Sequence, residues 1–149
     1  MKKILIIQLL LCLCLSASAQ KALFNKYSDA KGVTSVYISK AMLGMAAGLK
    51  AGKSDIGKIA GRLDHLQILT FERPSMIRTV RKEAVEAFRK EGFEQIMQVK
   101  DDGDNVTIYL KTHKNKKNEF VLFNVSEDEL EIINVLGNVT LKEIKGLTE

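Results

Sequence analysis

Apolar residues recur with two distinct periods along this chain, and the change from one to the other organises it. Between Pro74 and Gly92, the residues Ile77, Val80, Ala84 and Phe88 return every three or four positions, which lines up one stripe of an α-helix. Proline suits the first helical position because the N–H it lacks would go unpaired there. Glycine suits the residue just past the end, so Pro74 and Gly92 bracket the predicted helix. After Gly92 the period falls to two. Residues 93–100, 106–111, 119–125 and 130–136 alternate or run apolar between short polar connections, predicting a four-stranded antiparallel meander. Val106, Ile108 and Leu110 share one face of their strand. Phe120-Val121-Leu122-Phe123 has no polar side and is expected in the middle of the sheet.

The first half of the chain mixes both periods. Residues 21–29 read as a short helix, and residues 33–39 (VTSVYIS), after Gly32, as a β-branched strand. Residues 40–51 are rich in Ala, Met, Leu and Lys and predict a second helix. Residues 66–71 predict another strand, apolar on both sides at Ile68 and Leu69 and therefore interior. A last helix over 141–147 has Thr140 as its cap, with Glu143 three residues on. The fold class expected is α+β: a single two-layer domain, with a largely antiparallel sheet, helices packed on one face and a C-terminal four-stranded meander.

The N-terminus changes what this domain is exposed to. Lys2 and Lys3 precede an apolar run from Ile4 to Leu15, and Ala17-Ser18-Ala19 follows as a small-x-small cleavage site. Residues 1–19 are thus expected to be a signal peptide and 20–149 a single exported domain. The apolar run is shorter than the roughly 20 residues that cross a bilayer. Both cysteines, Cys12 and Cys14, fall inside the removed segment, so the mature chain is held by its core and not by disulfides. A lipid-anchored form would need a small residue ahead of Cys12 or Cys14, where Leu11 and Leu13 stand. Loss of Lys2 and Lys3 lowers the formal charge from +5 to +3. That mild excess is not the footprint of a nucleic-acid binder, and no nucleic-acid partner is expected.

Gly52-Lys53-Ser54 resembles the end of a phosphate-binding loop, but the motif needs glycine five residues before that triplet and Ala47 occupies the position. A helix also stands where the loop requires a strand, so no nucleotide is expected. The glycines at 44, 48 and 52, and again at 57 and 61, keep a spacing of four, which suits a helix lying close on a sheet or a segment with few large anchors. Asp101-Asp102-Gly103-Asp104-Asn105 offers oxygens for calcium, yet its glycine is third where the common calcium loop has it sixth. Asp-Gly between two alternating segments is instead a hairpin turn. Three N-x-S/T triplets, at Asn105, Asn124 and Asn138, lie in or beside strands and are read as coincidences of β sequence.

No catalytic constellation stands out. The mature chain holds two histidines, His65 and His113, and no cysteine, which removes thiolate zinc sites and cysteine nucleophiles; no metal or cofactor is expected. His65 reads as a hydrogen-bonded structural residue. The strongest local feature is residues 111–118 (KTHKNKKN), where Lys111, His113, Lys114, Lys116 and Lys117 gather between two strands. As a hairpin tip it discourages edge pairing; as a binding site it would attract an acidic envelope protein or an anionic membrane surface. The alternative is a small-ligand-binding protein or a hydrolase using two carboxylates brought together by folding.

The segments LFNKYSDAKGVTSVYISKAML (23–43), IAGRLDHLQIL (59–69) and IMQVKDDGDNVTIYLK (96–111), with a basic helix between the last two, resemble the domain of unknown function 4252 family. The resemblance covers nearly the whole mature chain. It implies a small exported protein of the Gram-negative envelope, with the periplasm as its compartment, mainly in Bacteroidetes, with one α+β domain, no established activity and a genomic link to envelope-stress sigma factors. Many members of the family carry a lipobox cysteine, a habit from which this chain departs. No catalytic motif comes with the resemblance.

Overall fold

A computed structural model describes residues 19–46 and 56–145. In chain order the elements are α1 (Ala19–Tyr27), β1 (Val33–Ser39), α2 (Lys40–Ala46), α3 (Ile56–Ala60), β2 (Leu63–Phe71), α4 (Pro74–Lys90), β3 (Glu94–Asp101), β4 (Asp104–Thr112), β5 (Asn118–Val125), β6 (Leu130–Gly137) and α5 (Leu141–Lys145). One six-stranded sheet runs β1-β2-β6-β5-β4-β3, antiparallel throughout. The helix α4 carries the chain from β2 to the far edge. The meander then walks back until β6 pairs with β2, which leaves β1 and β3 as the two edges.

The apolar stripe of α4 is buried at Ile77, Val80, Ala84 and Phe88. Its C-terminus is closed by a Schellman motif: Phe93 N–H bonds the Phe88 carbonyl at 3.0 Å and Gly92 N–H bonds the Arg89 carbonyl at 3.1 Å. Gly92 takes φ +82, open to glycine at little cost. The rings of Phe88 and Phe93 meet edge to face at 6.1 Å, so the cap and the core share a contact. The Asp-Gly turn forms as expected. Asp101 pairs with Asp104, and Asp102 and Gly103 both have positive φ, at 42° and 93°, the mark of a type I′ hairpin.

Because side chains alternate across a strand, β5 feeds two cores. Val121, Phe123 and Val125 join Leu69, Phe71, Leu130 and Ile132 beneath α1 and α4. Phe120 and Leu122 point the other way, to Leu43 of α2, Ile59 and Ala60 of α3, and Ile144 of α5. The domain is α+β with an antiparallel sheet, as expected, but helices lie on both faces. A strand without a polar side requires cover on each. The expected helix over 40–51 is described as far as Ala46; its remainder, the glycines 48 and 52, and the loop-like Gly52-Lys53-Ser54 lie outside the described residues. Gly44 has open space around it and makes no close approach to the sheet.

The end of β6 is bound to the start of β2 by backbone. A Cβ on Gly137 would stand 2.5 Å from the Arg62 carbonyl oxygen and 2.8 Å from Leu63 Cα. Asn138 N–H donates to the same Arg62 oxygen at 3.0 Å. The α5 cap forms reciprocally: Thr140 N–H donates to Glu143 Oε2 at 2.9 Å, and Glu143 N–H reaches Thr140 Oγ1 at 3.4 Å. The Arg62 guanidinium also bonds Glu143.

Candidate functional site

The cationic segment singled out by sequence forms the β4–β5 hairpin tip. Thr112 pairs with Asn118, His113 N–H donates to the Lys117 carbonyl at 2.9 Å, and Lys116 N–H donates to the His113 carbonyl at 2.9 Å. Lys116 follows in the left-handed region at φ +64, a position where glycine is the usual choice. Asn115 Oδ1 accepts from Lys117 N–H at 3.1 Å and braces the turn from inside.

The five residues do not act as one patch. Lys117 reaches back to Asp64 at 2.6 Å, and Lys40 approaches the same carboxylate at 3.5 Å. The hydrogen bond from Lys117, followed by the two cationic charges, holds the Asp64 carboxyl below its ordinary pKa against the opposing effect of burial. Lys111 lies within β4, with its Nζ 5.7 Å from the Phe93 ring centre. His113 is tied to Glu119. Lys114 and Lys116 are left exposed, with no side-chain bond to another described residue.

Behind the tip runs a polar chain that sequence did not assemble. His113 Nε2 meets Glu119 Oε2 at 2.6 Å, Asn134 Nδ2 donates to Glu119 Oε1 at 2.9 Å, and Asn134 Oδ1 meets His65 Nε2 at 2.6 Å. Strand register explains the grouping: His65 and Glu119 are both partners of Leu136, one on each side of β6, and Asn134 lies two residues along on the same face. The chain has one sense. An ionised carboxylate only accepts, so Asn134 must turn its amide nitrogen toward Glu119 and its oxygen toward His65, and both imidazoles carry a proton on Nε2. Asn134 is only 1% exposed, yet both ends of its amide are satisfied. Its one signal in the sequence is a lone amide inside the apolar run LEIINVLG.

A second polar pair lies on the opposite sheet face. Asn124 and Glu131 are register partners on β5 and β6, and Asn124 Oδ1 is buried without a hydrogen-bond partner. Burial first, and the neighbouring Glu129 charge second, push the Glu131 carboxyl above its ordinary pKa. A shallow groove of about 230 Å³ separates α1 from α4, flanked by Lys26, Glu83 and Glu86. Glu83 is already bound there, to Lys26 Nζ at 3.0 Å and to the Tyr27 hydroxyl at 2.8 Å. Burial pushes its carboxyl up, but these two bonds outweigh that and hold it below the ordinary range. Among the described residues no group of three or more His, Cys, Asp or Glu is placed to hold a metal ion, and no helix is long and apolar enough to cross a membrane.

The antiparallel sheet, its crossing helix and the β4–β5 tip all fall within the region matched by one family model, described as a domain of unknown function (DUF4252), over residues 27–147. The chain belongs to the DUF4252 family. No curated protein and no solved structure matches it. In this DUF4252 domain the matched region takes in every residue of the tip and of the His65–Asn134–Glu119–His113 chain.

Proposed function

We propose that this DUF4252 protein is a non-catalytic binding module of the cell envelope that engages an acidic surface through its β4–β5 tip. The observation that carries the reading is the division of labour within the tip. Lys117 and His113 are used up anchoring the loop to Asp64 and Glu119, while Lys114 and Lys116 are presented outward from a fixed turn. A fixed turn presents charge at lower entropic cost than a mobile loop. Export to the periplasm is the natural setting, from the basic, apolar and small-residue order of residues 1–19. A link to envelope-stress signalling would follow if the acidic partner is a signalling protein.

The hydrolase alternative is weaker. The groove between α1 and α4 contains Glu83 and Glu86, but Glu83 is held ionised by Lys26, whereas a general acid needs its pKa raised. Co-sedimentation of the processed protein with vesicles, with and without phosphatidylglycerol, tests the lipid arm of the proposal. Cross-linking in envelopes tests the protein arm. Binding in either arm should weaken with salt and with reversal of Lys114 and Lys116 to Glu. Binding to neither surface, or binding indifferent to both salt and reversal, would remove the tip from the function.

A further inference from the structure

We infer that β1 is a self-association edge, which pairs antiparallel with β1 of a second copy of this chain about a two-fold axis near Val36. The two edges of the sheet differ. β3 is blunted in the way natural edges are: Glu94, Lys100 and Asp101 lie along it, and its register with β4 shifts between Gln95 and Met97. β1 has none of these devices. From Val33 to Ser39 it carries no charge and no proline, and its register against β2 runs unbroken from Val33↔Phe71 to Ser39↔His65. Residues 34–37 are all exposed.

Exposed apolar bulk concentrates at the same place. Of the large hydrophobic side chains left in solvent, Val36, Tyr37, Met42 and Met45 fall on β1 and the α2 helix that follows it. Tyr37 is 62% exposed and Met45 78%. Thioether side chains on such a surface adapt readily to a partner. Among the described residues, an uncharged edge without a bulge, flanked by exposed apolar side chains on both sheet faces, is a template for another strand.

The choice of a second copy follows from symmetry and charge. Pairing β1 of one copy with β3 of the next would propagate without closing, and the charges and bulge of β3 oppose it. Pairing β1 with itself closes after two copies. In the fully overlapped register Val36 meets Val36, Tyr37 meets Ser35 and Thr34 meets Ile38, an apolar and hydroxyl set without a charge. Parallel pairing would stack Lys31 on Lys31 and Lys40 on Lys40. Antiparallel pairing about Val36 instead sets Lys40 opposite Gly32 and Lys31 opposite Ala41, so no like charges face each other in register. The two sheets become one of twelve strands, with the two β4–β5 tips at its opposite ends.

The processed protein contains no cysteine after Ala19, which permits a direct test. Single cysteines placed in turn at 33–39 are oxidised, and the covalent dimer is quantified alongside sedimentation velocity of the unmodified protein. The expected result is a concentration-dependent dimer with cross-linking peaked at Val36→Cys, because either kind of antiparallel pair brings opposed Cα atoms within disulfide reach. Val36→Lys should weaken the dimer at least ~10-fold, about 1.4 kcal/mol, and leave the melting temperature unchanged at dilutions where both proteins are monomeric. Val99→Lys on the β3 edge is the control and should leave the dimer intact. A protein monomeric at every concentration overturns the inference, as does equal loss with Val99→Lys. A β1 edge whose amides gain protection only from a foreign polypeptide would also overturn it and reassign the edge to a hetero-partner.

Discussion

Asn134 on β6 and Glu119 on β5 are joined by a 2.9 Å hydrogen bond in which the amide donates and the carboxylate accepts. The bond lies at the centre of the chain that anchors the tip to the sheet. Replacing Asn134 by Asp sets a second carboxylate against Glu119 in a buried position and should cost about 3 kcal/mol or more. Replacing it by Leu removes the bond without adding a charge and should cost about 1–3 kcal/mol. Urea unfolding of the two variants measures the difference. Equal costs would show that Glu119 takes its partners elsewhere.

Lys116 holds φ +64 at the exposed tip. A left-handed conformation costs a non-glycine residue roughly 1–2 kcal/mol, so Lys116→Gly should stabilise the domain by about 1 kcal/mol while removing one presented cation. Stability and binding should therefore move in opposite directions in this variant. Thermal melts paired with the vesicle assay would show it, and a gain in both would contradict the role given to the Lys116 charge.

Gly137 is required by approach distance. Ala at this position would press its Cβ into the Arg62 carbonyl and Leu63 Cα, both backbone atoms that cannot rotate away. Gly137→Ala should destabilise by about 1–3 kcal/mol, in the range of an overpacked core, and loosen the junction of β2, β6 and α5. Amide exchange across residues 137–145 should speed up more than exchange in α4.

Two carboxyls give opposite pH signatures. Arg62 first, then the Thr140 N–H, hold Glu143 down to about 2. A depressed pKa contributes stability that is present above the unfolded-state value and is lost as pH falls through about 2. Amide exchange should therefore show α5 loosening in acid, and Glu143→Gln should lose that dependence. Glu131 is raised by burial and then by Glu129, so it is most favourable protonated, and its contribution is lost as pH rises through its folded pKa. Glu131→Gln should raise the melting temperature at neutral pH and leave it little changed in acid. It also places a donor on the register partner of the unsatisfied Asn124 Oδ1.

Much of this architecture was legible because it is local. The stripe Ile77, Val80, Ala84 and Phe88, the Pro74 and Gly92 boundaries, the Asp102-Gly103 turn and the Thr140–Glu143 box are set by residues within a few positions of one another, and each forms as its pattern predicts. What depends on strand order was not legible. Nothing in a period of two tells that β6 returns to β2, so the meeting of His65 and Asn134 across 69 positions carried no sequence signal. The cationic segment was visible as composition, but its split into anchors and presented charges depends on Asp64 and Glu119, which look like ordinary surface acids in the sequence. Phe120-Val121-Leu122-Phe123 marked the middle of the sheet, but helices were expected on one face, because α2, α3 and α5 are too short for periodicity to show which face they take.

Site-specific photo-cross-linking from the tip in intact envelopes, with the probe at Asn115 in the otherwise native protein and in the Lys114→Glu, Lys116→Glu double variant, decides whether the presented cations make the contact. Cross-links to an acidic envelope component are expected from Asn115, with their loss, by ~10-fold or more, on charge reversal, and none from a control probe at Glu86 on α4. Equal cross-linking from the reversed tip, or a partner captured at Glu86 and not at Asn115, would contradict binding through the tip.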